Sequence, residues 1–403
     1  MTILVLNCGS SSIKYQLVCM EGDKCEVLAK GLVERIGMDD AILTHKPTGK
    51  DKYETVTRIA DHTVGINMVL DALTNSNHGV IGSLQAIDAV GHRVAHGGEY
   101  FSQSVLLTDE GKRRIEELCD IAPLHNPAHL KGIAAMEQLL PKAPQVAVFD
   151  TSFHQTMPAS AYMYAVPYEY YERYKVRRYG FHGTSHRFVA EKACKMLGVD
   201  IKTQKIITCH LGNGASITAI KNGQSVDTSM GFTPVEGLMM GTRCGDLDVG
   251  ALTFIAEKEN LSLKDLVNMA NKKSGVQGIS GISSDMRDIN SAAEQGNARA
   301  QLALDMYYAR VKKHIGGYAA IMNGVDIVVF TGGIGENDFS MREHVCADMD
   351  YLGIELDKSV NNGLRGKDTV ISTPKSRTKV LLVTTDEEFV IASDTMRIVS
   401  QNK

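Results

Sequence analysis

Three short segments combine glycines, hydroxyls and amides in a way that could hold phosphate. They are Asn7-Cys8-Gly9-Ser10-Ser11-Ser12-Ile13-Lys14, His210-Leu211-Gly212-Asn213-Gly214-Ala215-Ser216 and Gly332-Gly333-Ile334-Gly335-Glu336-Asn337. In such turns backbone N–H groups converge on an anion, and bare glycines let it approach the main chain. Singly, each reads equally well as an ordinary turn; together they favour nucleotide phosphates. Arg93 and Arg243 stand in glycine-flanked turns, within Gly91–Gly98 and Gly241-Thr242-Arg243. Two guanidinium forks suit the oxygens of a phosphoryl group. Gly180-Phe181-His182-Gly183-Thr184-Ser185-His186 places two histidines four apart. The glutamate of an HExxH zinc helix is missing, and Gly183 puts His182 in a turn ahead of any helix.

Common alternatives are absent. No GxxxxGK followed by Ser or Thr occurs, so the turns are not a P-loop. Residues 333–338 read Gly-Ile-Gly-Glu-Asn-Asp, which is not a dinucleotide fingerprint, and GxSxG is missing. The 403 residues carry a net charge of −4 with no Lys/Arg block, which argues against a nucleic-acid partner. No apolar stretch approaches the ~18 residues of a membrane span. The eight cysteines are scattered without a CxxC pair, and the amino-terminal segment lacks the basic start and apolar core of a secretory leader. Reduced thiols in a cytoplasmic protein are the expectation.

The elements that must position these residues alternate between strand and helix. Short apolar runs at Ile3–Leu6, Ile13–Cys19, Ala86–Val90, Val146–Phe149, Ile206–Leu211, Ala215–Ile220, Asp326–Phe330 and Val380–Thr384 read as strands. Asn222-Gly223 marks a hairpin. The stretch around His45–Thr55 reads as a charged peripheral loop. Leu247–Glu257, Leu263–Lys273 and Glu387–Val399 read as helices, as does Ala292–Met322 with an interruption at Gly316-Gly317. A glycine-rich hairpin turn appears near residue 9 and again near residue 213, which suggests a duplicated α/β architecture. The length fits two domains. Strands that deliver polar clusters at their carboxyl ends are how open α/β sheets place ligands.

The motifs Asn7–Lys14 and Tyr179–Arg187 (YGFHGTSHR) resemble the two signature segments of the acetate kinases and their propionate-kinase relatives. GHRVAHGG at 91–98, APLHNP at 122–127, FDTSFH at 149–154, HLGNGAS at 210–216, Asp227–Arg243 and Gly332–Asn337 follow the family in order, from residue 3 to about 399. One departure is His-Asn-Pro-Ala-His at 125–129, where many members have Asn-Pro-Pro-Asn after the histidine. The resemblance implies two duplicated actin/Hsp70-like (ribonuclease H-like) α/β domains with an ATP cleft between them. They would comprise residues 1–150, joined by the closing helix 386–403, and residues 151–385. It also implies a homodimer.

The implied reaction is reversible transfer of the ATP γ-phosphoryl group to acetate or another short-chain carboxylate, giving an acyl phosphate and ADP. Propionate is the alternative preferred substrate. By resemblance, Asp150, His182 and Arg243 are catalytic, Asp150 being the family's acid/base, although an ionised carboxylate needs no base and metal orientation suits Asp150 better. Arg93 would bind the carboxylate, and Ala95, Leu124, Phe181 and Pro234 would line its acyl chain. Acetate-preferring relatives usually carry Val at the position of Ala95, and propionate kinases often Ala. Lys14, His210, Leu211, Gly212, Asn213, Gly214, Asp285, Met286, Arg287, Gly333, Ile334, Gly335, Glu336 and Asn337 would hold ATP. Asn7 and Glu387 would hold Mg²⁺, with Mn²⁺ able to substitute. His125, His154 and His186 read as loop braces. A non-catalytic nucleotide-gated module on the same fold would not need two arginines, His182 and Asp150 together.

Overall fold

Strand β1 (Thr2–Cys8) is apolar on both faces because both faces are covered. The computed structural model, which describes residues 1–402, divides the chain into two compact units. One comprises Met1–Ser152 with the segment from Asp386 onward, the other Phe153–Thr385. In the first, β1 pairs antiparallel with β2 (Ser12–Glu21), which continues through β3 (Lys24–Glu34) and β4 (Ala41–Pro47) to β5 (Tyr53–Thr57). On its other side β1 runs parallel to β6 (Ala89–Val94) and β6 parallel to β8 (Gln145–Phe149), with β7 (Val105–Leu106) antiparallel at the edge. Leu4 and Leu6 pack under the His62–Thr74 and Asn126–Leu139 helices, while Ile3 and Val5 pack on the Glu387–Gln401 helix. That is the period-two consequence of one strand sandwiched between helical layers.

The second unit repeats this scheme. β9 (Lys205–Leu211) pairs antiparallel with β10 (Ala215–Lys221), and β10 with β11 (Gln224–Thr228). β12 (Ile327–Thr331) runs parallel to β9, β14 (Lys379–Leu382) parallel to β12, and β13 (Thr369–Val370) closes the edge antiparallel. The orders β3-β2-β1-β6-β8-β7 and β11-β10-β9-β12-β14-β13 correspond strand for strand. β4 and β5 are an addition to the first sheet. Alternate β9 residues again face opposite layers: Ile207 and Cys209 meet the Ala298–Met322 helix, and Ile206 meets the Gly183–Leu197 helix.

Three sequence expectations need correction. The 45–55 segment is no loop: Ala41, Leu43, His45 and Pro47 point inward on β4, and His45 shares a 2.6 Å hydrogen bond with the Tyr15 hydroxyl. Its charged residues hid the end of β4 and the start of the edge strand β5. The strand expected at 86–90 lies at 89–94, so Arg93 projects from the strand β6 itself. A polar strand interior is tolerated there because His92 is hydrogen-bonded to Gln145 Oε1 at 2.6 Å. The long helix runs unbroken through Gly316-Gly317 and is interrupted instead at Gly296, where Asn297 caps the amides of Arg299 and Ala300. Each helical glycine costs about 1 kcal/mol, but burial of Tyr307, Val311, Ile315, Tyr318 and Met322 outweighs it.

Candidate active site

In the first unit, functional side chains gather where β1, β6 and β8 end. Asn7 is the penultimate residue of β1, Arg93 lies on β6, and Asp150 follows β8. Arg93 Nε and Nη2 donate to the two oxygens of Asp150 at 3.0 and 2.5 Å, and Nη1 donates to Asn7 Oδ1 at 3.2 Å. Burial works to lower the Arg93 pKa, but Asp150, Glu387 and Glu388 more than offset it and hold the guanidinium charged. Glu387 opens the last helix; burial raises its carboxyl pKa, against the pull of Arg93. Lys14, half exposed on β2, is ion-paired with Glu388. Between β1 and β2 the Gly9 amide closes on Ser12 O at 2.8 Å, and His62 donates to Gly9 O at 2.7 Å. Ala95 is buried just beyond β6, and Leu124 is exposed.

The sequence reading missed His129. It is 3% exposed beside Arg93, His92 and His62, its pKa is pushed well down by burial, and neither ring nitrogen has a hydrogen-bond partner among the described residues. A buried imidazole normally finds one. The departure at 125–129 was the only sequence signal.

In the second unit, His182 caps the Gly183–Leu197 helix in the left-handed region, at φ 57° and ψ 22°. That conformation is uncommon for a residue with a side chain and concentrates at functional sites. Phe181, buried in the core, passes its carbonyl to His154 Nε2 at 2.9 Å, and His154 Nδ1 meets Ser225 Oγ at 2.9 Å. His154 is a neutral strut, its pKa lowered by burial to about 4. The ring of His182 is stacked on His210, with centroids 4.2 Å apart.

The β9–β10 turn carries Gly212, Asn213 and Gly214. A Cβ on Gly214 would stand 3.0 Å from Arg243 Nη1 and 3.9 Å from His182 Nε2, so both groups point over one glycine. Arg243 is largely buried without a carboxylate partner among the described residues. Its contacts are the Pro234 carbonyl at 3.5 Å and Met240 Sδ, and burial lowers its pKa. A desolvated cation lacking a counter-ion is a prepared anion site.

Next to this turn a cavity of about 830 Å³ is walled by Gly212, Asn213, Asp285, Met286, Arg287, Gly333, Ile334 and Asn337. Ser284, Asn290, Ser291, Glu294, Asp338 and Arg365 complete the wall and were not anticipated. Leu211, Gly335 and Glu336 build it from behind. Glu336 Oε1 accepts from the amides of Gly332 and Thr385, at 3.1 and 3.0 Å. Gly332 has φ 78°, and a Cβ there would lie 2.8 Å from Leu211 O, so only glycine lets the two turns touch. Arg342, fully buried, clamps the same wall through Gly335 O and Leu364 O at 2.8 and 2.7 Å. Volume and polarity suit a nucleotide.

The chain matches the model of the acetokinase family over residues 2–393. An acetate kinase of Halothermothrix orenii is 56% identical over 399 residues, covering 99% of this chain and 100% of that protein. The crystal structure of Porphyromonas gingivalis acetate kinase superposes with a TM-score of 0.96 at 53% identity, covering 99% of each chain. A propionate kinase from Francisella tularensis superposes with a TM-score of 0.90 at 40% identity, covering 98% of this chain and 99% of that one. Among the described residues no helix is long and apolar enough to cross a membrane.

Proposed function

Because the chain belongs to the acetokinase family, we propose that it acts as an acetate kinase, transferring the ATP γ-phosphoryl group reversibly to acetate. The observation that carries this reading at the site is the convergence of Arg243 and His182 over Gly214, adjoining the nucleotide-sized cavity. A carboxylate is ionised at neutral pH, its pKa near ~4, so its oxygen attacks the γ-phosphorus without a base. The bond from that phosphorus to the β–γ bridging oxygen breaks, and ADP leaves. Catalysis is then alignment and charge stabilisation. Arg243 and His182 donate to the oxygens of the transferring group, and Arg93, held by Asp150, binds the carboxylate. Asp150 in this reading positions Arg93.

The first unit also fits a hard divalent cation. Asn7 offers an amide oxygen, and Glu387 a half-buried carboxylate whose pKa is raised chiefly by desolvation. These two would hold Mg²⁺, or Mn²⁺ in its place, which when bound neutralises phosphate charge. Mg²⁺ holds most of its coordination shell as water, so two protein oxygens are enough to place it. ATP and ADP would occupy the cavity, with Lys14 meeting the phosphates. The setting would be the cytoplasm.

Buried Ala95 favours a second substrate, propionate, since Ala leaves more room than Val. A homodimer completes the reading. The Val249–Lys258 and Leu263–Lys272 helices bury no residue and expose Phe254, Leu263 and Val267, a face for a second copy. Sedimentation velocity of a Leu263→Glu/Val267→Glu variant should show monomers; an unchanged dimer would move the interface elsewhere. The function itself is tested by trapping acyl phosphate with hydroxylamine across formate, acetate, propionate and butyrate, with ATP, GTP and pyrophosphate as donors. Acetate with ATP should give product; no product with any pair overturns the reading.

A further inference from the structure

We infer that a proton-ordered line running Thr208–His186–Ser216–His182 selects the ring tautomer with which His182 works, making Ser216 and His186 positioning residues. The inference rests on the reading that His182 donates to the transferring phosphoryl group.

The line is continuous. Thr208 Oγ1 lies 2.7 Å from His186 Nδ1, His186 Nε2 lies 2.7 Å from Ser216 Oγ, and Ser216 Oγ lies 2.9 Å from His182 Nδ1. Thr208, His186 and Ser216 are each 0% exposed, so no bulk water supplies a missing partner. Burial pushes the His186 pKa well down, with His154 and His210 adding to the effect, so its ring is neutral and carries one N–H.

Each hydroxyl and each neutral imidazole has one proton to place. If Thr208 donates to His186 Nδ1, His186 Nε2–H donates to Ser216 and Ser216 donates to His182 Nδ1. Three of the four protons then lie in the line's hydrogen bonds, and the fourth sits on Nε2 of the partly exposed His182 instead of in the interior. If the direction is reversed, His182 Nδ1–H donates to Ser216, Ser216 to His186 Nε2, and His186 Nδ1–H to Thr208. The Thr208 hydroxyl proton is then left in the interior, because Thr208 Oγ1 has no second partner among the described residues. If Ser216 accepts from both rings, its own proton is stranded instead. Buried donors without acceptors are selected against, so only the first direction persists.

The first direction leaves the His182 proton on Nε2, the nitrogen that approaches Gly214 alongside Arg243. His182 therefore presents a donor where the phosphoryl oxygens are to sit, and no lone pair. It stabilises charge without taking a proton, in both directions of transfer. Its backbone is fixed as well, in the left-handed cap conformation with the preceding carbonyl held by His154. Which nitrogen carries a histidine's proton is set by what the other one meets, and here that is Ser216.

The test is ring ¹H–¹⁵N NMR of the full chain labelled with ¹⁵N-histidine, with His182 assigned by its loss in His182→Asn. The wild type should show the proton on Nε2. Ser216→Ala should populate the Nδ1–H form and lower kcat for acetate about 10- to 100-fold, the usual cost of losing a histidine's orienting partner, with KM for acetate and ATP little changed. Ser216→Thr should restore most of both. Should Ser216→Ala fail to fold, the wild-type tautomer decides alone. A wild-type proton on Nδ1, or a Ser216→Ala enzyme with unaltered tautomer and kcat, overturns the inference. A wild type that phosphorylates no carboxylate yet carries the proton on Nε2 overturns the functional reading and upholds the tautomer.

Discussion

Both oxygens of Asp150 are engaged by one guanidinium, that of Arg93, whose Nε and Nη2 lie 3.0 and 2.5 Å away across the adjoining ends of β6 and β8. The parallel register that sets Val94 opposite Phe149 brings them together, and the Asp150 amide adds a 3.1 Å bond to Val94 O. A two-point ion pair orients as well as charges.

Asp150→Asn would set an amide donor against a guanidinium donor and loosen Arg93. If Asp150 positions Arg93, kcat should fall at least ~100-fold, as for other preorganised charge-stabilising groups, while the pH profile of the residual rate keeps its shape. Disappearance of one limb of the profile would instead make Asp150 a proton-transferring group.

Asn7→Ala and Glu387→Ala should each raise the Mg²⁺ concentration needed for half-maximal rate, with thermal unfolding little altered. The two residues come from opposite ends of the chain, one on β1 and one on the last helix that packs on it. Metal titrations that superpose on the wild type would remove both from the metal site.

Substrate length turns on Ala95. One methylene in an apolar pocket is worth roughly 0.8 kcal/mol of burial and discriminates by at most ~10–200-fold. Propionate should have a kcat/KM within about tenfold of acetate, and Ala95→Val should raise the propionate KM more than the acetate KM. Propionate turnover below about one hundredth of acetate's, unchanged in Ala95→Val, would show that another residue limits the chain.

Stability should depend on pH through buried histidines. His92 and His154 have pKa values lowered by burial from 6.5 to about 4. Unfolded rings take up protons as the pH falls through about 6.5, while the folded rings stay neutral until about pH 4. Stability is therefore complete above pH 7 and is lost between those values, by roughly 2 kcal/mol for each ring at pH 5. Urea unfolding at pH 7.5 and 5.0 measures it. His154→Gln should lessen the difference between the two conditions, and equal stabilities in the wild type would show that these rings titrate normally.

The glycine-rich turns were legible because chemistry and local conformation coincide there: a short apolar run ending in glycines and hydroxyls is both a strand end and a phosphate cradle. Asn222-Gly223 was legible for the same local reason, with φ of 55° and 81°. What escaped depends on partners remote in sequence. β4 reads as a loop until His45 is seen bonded to Tyr15, and β6 reads as a turn until Gln145 takes His92. The glycine pair at 316–317 stays helical because the rest of that helix is buried. Ser216 lay within a recognised motif, yet its role needs a register that sets it opposite His210 and sets Thr218 opposite Thr208. His129 offered only a substitution in a loop, with no spacing to point toward Arg93.

Arg243 and His182 together make a further prediction about rate. Arg243→Ala should lower kcat at least ~100-fold, since a preorganised cation at developing phosphoryl charge contributes a few kcal/mol. Arg243→Lys should recover only part, lacking the planar fork. Near-normal turnover by Arg243→Ala would take this residue out of the reaction.

The central claim is that a carboxylate oxygen of acetate attacks the γ-phosphorus of ATP. ³¹P NMR of the wild-type reaction with acetate labelled with ¹⁸O in both carboxyl positions tests it directly. Acetyl phosphate should appear with an isotope-shifted resonance, because its bridging oxygen comes from acetate. Release of inorganic phosphate with no acetyl phosphate, or acetyl phosphate without the shift, would contradict it.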